Sequence, residues 1–115
     1  MFGQLNSQGL WGKNHEESED LALRAERELH TNPRAARELY AQAAEKEKTA
    51  LAAYPPERRH LEFYQALIVS AAALAVKGQD LPLALSVITT YGSHVRSDYY
   101  QRRLQEVMDA LPKIS

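Results

Sequence analysis

Arg58, Arg59 and His60 stand side by side after a Pro55, Pro56 break and ahead of a long helix-forming stretch. Cations at a helix N-terminus oppose the macrodipole, so such a cluster is costly unless an anion compensates it. The chemistry on offer is anion recognition: an acidic peptide, or an ion pair with the adjacent Glu57 or Glu62. Arg59, His60 and Tyr64 could also wall a polar pocket of a ligand-binding bundle or an enzyme, provided the three side chains converge on one cavity. A second candidate is the run Tyr99, Tyr100, Gln101, Arg102 and Arg103. Neighbours on a helix point about 100° apart, so one tyrosine should face the core and the other water. Tyrosine and arginine together are common in binding hot spots.

Other reactive residue types form no motif. Of the four histidines, His15, His30, His60 and His94, none has the second histidine at i+4 that a zinc helix requires. We expect them to be exposed or at helix ends. Glu16, Glu17, Glu19 and Asp20 read as a solvated acidic first turn, favoured there by the macrodipole. Ser70 sits in an apolar run, where its hydroxyl should bond back to a backbone carbonyl. No Gly-x-Ser-x-Gly elbow and no phosphate-binding glycine loop is present. The expectation is therefore no catalytic residue, no cofactor and no metal site.

The chain has 115 residues and no cysteine, so disulfides and thiolate chemistry are excluded. That length fits one domain burying roughly two-thirds of its unfolded surface. Fourteen Lys and Arg against 15 Asp and Glu give a net charge of −1, without the basic excess of a general nucleic-acid binder. Recognition of nucleic acid would need Arg58, Arg59, Arg102 and Arg103 on one face. The start lacks the basic and apolar regions of a signal peptide. The longest apolar run, residues 66–76, is shorter than the roughly 20 residues that cross a bilayer. A cytoplasmic location away from the membrane is expected.

Helices must position these groups, and no strand signal competes with them. Residues 1–14, broken by Gly3, Gly9 and Gly12 but carrying Phe2, Leu5, Leu10 and Trp11, read as an arm docked on the domain formed by residues 15–115. Leu21, Ala25 and Leu29 mark one face of a first helix over 15–30. Asn32 and Pro33 cap a second helix reaching Tyr54. Its stripe is Ala36, Leu39, Tyr40, Ala43, Ala44, Ala50, Leu51 and Tyr54, and Glu38, Glu45, Lys46, Glu47 and Lys48 mark its wet face. A third helix over 57–77 is apolar almost all round in its second half, hence buried on several sides. Gly78 ends it, Asp80 caps a fourth helix over 81–91, and Ser97 caps a fifth over 98–111, stopped by Pro112.

The two turns echo each other. Leu23, Asn32, Ala36, Tyr40 and Ala43 match Ala71, Asp80, Ala84 and Ile88 in register, apart from Ala43, opposite which stands Tyr91. A cap residue four places before an alanine, and a large apolar residue four places after it, resembles the helix-turn-helix of a tetratricopeptide repeat over residues 20–95. Ala36 and Ala84 lie farther apart than that family's period of about 34 residues, and its first-helix aromatics are missing. The resemblance implies an all-α, right-handed array of about five helices: two long antiparallel hairpins and a C-terminal capping helix. It also implies a ligand groove along the first helix of each hairpin, at Glu28, Ala66, Val69, Ala73 and Lys77.

The expected function is thus a non-enzymatic interaction or scaffold module for a protein or peptide. The apolar surplus of residues 66–76 adds a homodimer as a possible assembly. The partner-binding candidates are Glu28, Arg58, Arg59, Ala66, Val69, Ala73, Lys77, Tyr99, Tyr100 and Arg103. The alternative is a ligand-binding or catalytic bundle built on Arg59, His60 and Tyr64.

Overall fold

The computed structural model describes the backbone of residues 2–111 and the side chains from residue 9 onward. Five helices follow one another, with no strand among the described residues: α1 (Phe2–Glu28), α2 (Pro33–Ala53), α3 (Glu62–Lys77), α4 (Leu81–Tyr91) and α5 (Asp98–Ala110). Short 3-10 turns at Pro56–Arg58 and Gly92–His94 precede α3 and α5. The protein is all-α.

Local chemistry starts three of these helices where the sequence places the starts. Asn32 accepts a hydrogen bond from the Ala35 amide, Asp80 from that of Leu83 and Ser97 from that of Tyr100, each at 3.2 Å. Each cap satisfies one orphan N–H and is worth about 1 kcal/mol. Pro33 and Pro82 occupy first-turn positions, where a missing N–H costs nothing.

Two boundaries differ from expectation. The helix expected from residue 15 already runs from Phe2, broken only at Gly9, whose φ of 59° lies in the left-handed region. The stretch expected as an arm is thus helical on either side of the Gly9 kink. Its Trp11 is buried and meets Tyr54 edge to face at 5.0 Å and Phe63 at 5.6 Å. Phe2 and Leu5 lie outside the described side chains, and Pro112 outside the described residues. Consequently Glu16, Glu17, Glu19 and Asp20 sit mid-helix and do not form a first turn. Glu17 pairs with Lys46 at 3.0 Å, and Glu19 lies 3.5 Å from His15. Nor does the third helix begin at Glu57. The backbone turns through i+3 bonds, with the amides of Arg58 and Arg59 donating to Pro55 and Pro56, and Leu61 is extended before α3 starts.

Alanines set the helix spacing. Ala36, Ala43, Ala44, Ala50, Ala71, Ala72, Ala75 and Ala84 have no exposed surface, so backbones approach closely where they meet. Leu51, Leu67 and Ile68 fill the space between, each worth roughly 2 kcal/mol for its burial. α1 packs on α2, α2 on α3, α3 on α4, and α5 returns onto α3. The apolar α3 is thus covered on several sides by its own chain. No helix among the described residues is long and apolar enough to cross a membrane.

Candidate functional site: a basic cleft between two helix starts

The turn before α3 carries Arg59 and His60, and the loop before α5 carries His94 and Arg96. Gln65 joins the two segments. Its buried side-chain oxygen accepts the backbone N–H groups of Arg96 at 2.8 Å and of Ser97 at 2.9 Å, so the loop is held against the first turn of α3. The result is a cleft of about 500 Å³ lined by Arg59, His60, Tyr64, Gln65, His94 and Arg96. Arg59, His60 and Tyr64, which the sequence could only nominate, do converge. Gln65, His94 and Arg96 complete the wall. Their distance in sequence from Arg59 hid them, since only tertiary contacts, among them the Gln65 clamp and the Tyr64–His94 hydrogen bond, bring the two segments together.

Tyr64 is the floor. It is 1% exposed, stacks on Tyr54 at 5.4 Å, and through Tyr54 is backed by Trp11. Its hydroxyl lies 2.7 Å from His94 Nδ1. Burial pushes the phenol above its ordinary pKa, opposed in part by the Arg59 guanidinium, which sits 5.5 Å from the ring centroid. The phenol therefore keeps its proton near neutrality and can donate it to a neutral His94 at Nδ1, which leaves the ring N–H on Nε2. Arg59, His60, His94 and Arg96 are exposed and reachable from solvent. No carboxylate among the described residues lines the cleft. Among the described residues, neither Arg59 nor Arg96 is ion-paired, the four pairs there being formed by other side chains.

The remaining candidates scatter. Arg58 is exposed on the 3-10 turn and does not line the cleft. Val69, Ala73, Lys77 and Arg103 share a shallower groove of about 310 Å³ between α3 and α5, together with Val76, Glu106, Val107 and Ala110. Glu28 at the end of α1 and half-buried Ala66 take no part in it. Tyr99 is 54% exposed and Tyr100 packs on the core, one out and one in. Arg103 lies over the Tyr99 ring at 5.3 Å and donates to Glu106 at 2.6 Å, so its charge is already engaged. Arg59 and Arg103 line different surfaces, so those two do not build one basic face.

A polar network in the core was not anticipated. Glu47, assigned by its residue type to the wet face of α2, is 1% exposed. One carboxylate oxygen meets His15 Nδ1 at 2.9 Å and the other accepts the Ser70 hydroxyl at 2.9 Å, so α1, α2 and α3 are tied through one side chain. Ser70 thus bonds to Glu47, not back to its own helix, and His15 is neither exposed nor terminal. Ser18 adds a bond to the Ala43 carbonyl at 2.9 Å. The order of groups is not that of a nucleophilic triad, which needs the imidazole between hydroxyl and carboxylate. Here the carboxylate is central and accepts the hydrogen bond of the serine hydroxyl. Among the described residues no cluster of three or more His, Asp or Glu could hold a metal ion.

Comparison of the chain with protein-family models, curated proteins and solved structures returns no match. Function must therefore be argued from the cleft itself.

Proposed function

We propose that this chain is a non-enzymatic interaction module that binds a protein or peptide partner through an acidic segment seated in the Arg59–Arg96 cleft. The observation that carries the reading is the one-sided charge of that cleft: Arg59 and Arg96 converge beside His60 and His94, with no lining carboxylate among the described residues, in a protein whose net charge is −1. Charges of one sign in a concave wall focus potential and draw in the opposite sign. A volume of about 500 Å³ takes a side chain with its flanking backbone, well beyond a single ion. The turn echo supports the same reading. Ala36 and Ala84 are both fully buried behind their caps, as a repeat-like peptide-binding scaffold requires.

Binding is favoured over catalysis because the one serine hydroxyl in a histidine–carboxylate network is held as a donor to Glu47. Fluorescence anisotropy with labelled Glu-rich, neutral and Lys-rich peptides of equal length tests the proposal. The acidic peptide alone should bind, more weakly as salt rises, and Arg59→Ala or Arg96→Ala should weaken it about tenfold or more. Equal binding of the neutral peptide would reject the cleft as the recognition site.

A further inference from the structure

The cleft is placed where two helices begin. Arg59 and His60 precede α3 at Glu62, and His94 and Arg96 precede α5 at Asp98. Tyr64 and Gln65, in the first turn of α3, form its inner wall. The N-terminal residue before α3 is Leu61, which provides no side-chain cap for the amides of that turn. Arg59, His60, His94 and Arg96 line this one small volume together.

A single carboxylate is a poor match for that supply. It brings one negative charge and two oxygens, and one arginine fork uses both oxygens in a bidentate pair. Arg59 and Arg96 approach from different segments, so a second fork, the His94 N–H and His60 would be left with little to bind. A phosphate monoester brings about 1.5 to 2 negative charges and three terminal oxygens around a tetrahedral centre. Two guanidinium groups can then each take a separate pair of oxygen lone pairs. The paired exposed carboxylate of Glu106 shows what an arginine of this protein does with one acid; Arg59 and Arg96 stand without one among the described residues.

The geometry points to a phosphate monoester on a peptide as the group that the Arg59–Arg96 cleft recognises. This rests on the cleft being the partner-binding site and deepens it by naming the chemistry of the acidic group. Arg59 and Arg96 clamp the phosphate from opposite segments. Gln65 acts as a positioning residue, since it fixes the Arg96 backbone. The apolar Tyr64 ring supports the Arg59 guanidinium from below.

The test uses the intact chain and three oriented peptide libraries whose fixed central residue is serine, glutamate or phosphoserine. Affinity is read by anisotropy in one buffer, free of phosphate. The phosphoserine library should bind at least about tenfold more tightly than the glutamate library, and the serine library least. Arg59→Ala and Arg96→Ala should each erase the preference for phosphoserine, whereas Arg102→Ala, exposed on α5 outside the cleft, should keep it. Circular dichroism confirms that the variants stay folded, and Arg96→Lys, which keeps the charge and loses the fork, should retain glutamate binding with a reduced phosphoserine preference. Equal binding of the glutamate and phosphoserine libraries would overturn the phosphate inference and leave the acidic-segment reading standing. No binding by either would remove both. Free phosphoserine or inorganic phosphate binding as tightly as the library would overturn the peptide as carrier and assign the site to a small phosphate.

Discussion

Ser70 and Glu47 are 23 positions apart and share a 2.9 Å hydrogen bond inside the core. The serine lies on the helix most surrounded by apolar residues, and the carboxylate is 1% exposed. A buried carboxylate persists only when its oxygens are satisfied, and here His15 serves one and Ser70 the other. Removing either side has a defined cost. Ser70→Ala should destabilise the fold by about 1–3 kcal/mol, because a buried charged acceptor loses a donor. Glu47→Ala should cost roughly 3–5 kcal/mol, since it opens a void and frees both partners. Urea denaturation reads both values, with Glu45→Ala on the exposed face as the control. A Glu47→Ala loss no larger than the control would show that the network does not hold the helices.

His15 makes that same network depend on pH. Its pKa is raised above the ordinary 6.5, chiefly by the hydrogen bond to Glu47, then by the charges of Glu47, Glu19 and Glu16, against an opposing effect of burial. From α3 the only neighbour described at its ring is the edge-on Phe63, which is uncharged. A group that holds its proton more tightly when folded contributes stability that is complete below its unfolded value and fades as pH rises through the folded value. The stability gap between the natural chain and His15→Gln should therefore be widest just below pH 6.5 and shrink toward alkaline pH. Chemical denaturation from about pH 5.5 to about pH 9 measures it. A gap that grows with pH would mean that His15 is bound as the neutral ring.

How much of this was legible in the sequence depends on the range of the interaction. Asn32, Asp80 and Ser97 act on amides three residues away, so their capping role is readable from residue type and position. For Glu47 the residue type points to water while its spacing points to the core. Tyr40, Ala43, Ala44, Glu47, Ala50 and Leu51 form one helical stripe, and the period alone points position 47 inward. The same holds for α1, where Trp11, Asn14, Ser18 and Ala25 are all buried at helical spacing. Small polar residues disguised that face. Their needs are met by Asn14 donating to the Leu10 carbonyl and Ser18 to that of Ala43.

The cleft was half legible. Arg59, His60 and Tyr64 are close in sequence, so local reasoning could group them. His94 and Arg96 reach the same place through α4 and a buried Val95, and Gln65 accepting two backbone amides fixes them there. Nothing local to residues 94–96 announces that contact. Likewise, the groove positions implied by the repeat resemblance come together only in part. α5 packs onto α3 and turns Val69, Ala73 and Lys77 into one wall of an α3–α5 groove, apart from Glu28 on α1.

The turn after α3 offers the sharpest contrast between neighbouring residues. Gly78 ends α3 with a φ of −82°, and the left-handed residue of the turn is Gln79, with φ 57°. The Gln79 amide bonds to the Val76 carbonyl and that of Asp80 to Ala75, each at 2.9 Å, which is the Schellman pattern centred on Gln79. Gly78 is required for another reason. A Cβ there would lie 2.6 Å from the Ala41 backbone nitrogen and 2.7 Å from its Cα, and backbone inside α2 cannot step aside. Gly78→Ala should therefore destabilise by about 1–3 kcal/mol, although alanine is the better helix former. Gln79→Gly should do the opposite and stabilise by roughly 0.5–1 kcal/mol, because glycine relieves the left-handed strain that glutamine bears. Thermal and urea unfolding of the two single variants decide the matter: opposite signs support the close approach of the turn to Ala41, while a neutral or stabilising Gly78→Ala would mean that α3 and α2 are not in contact there.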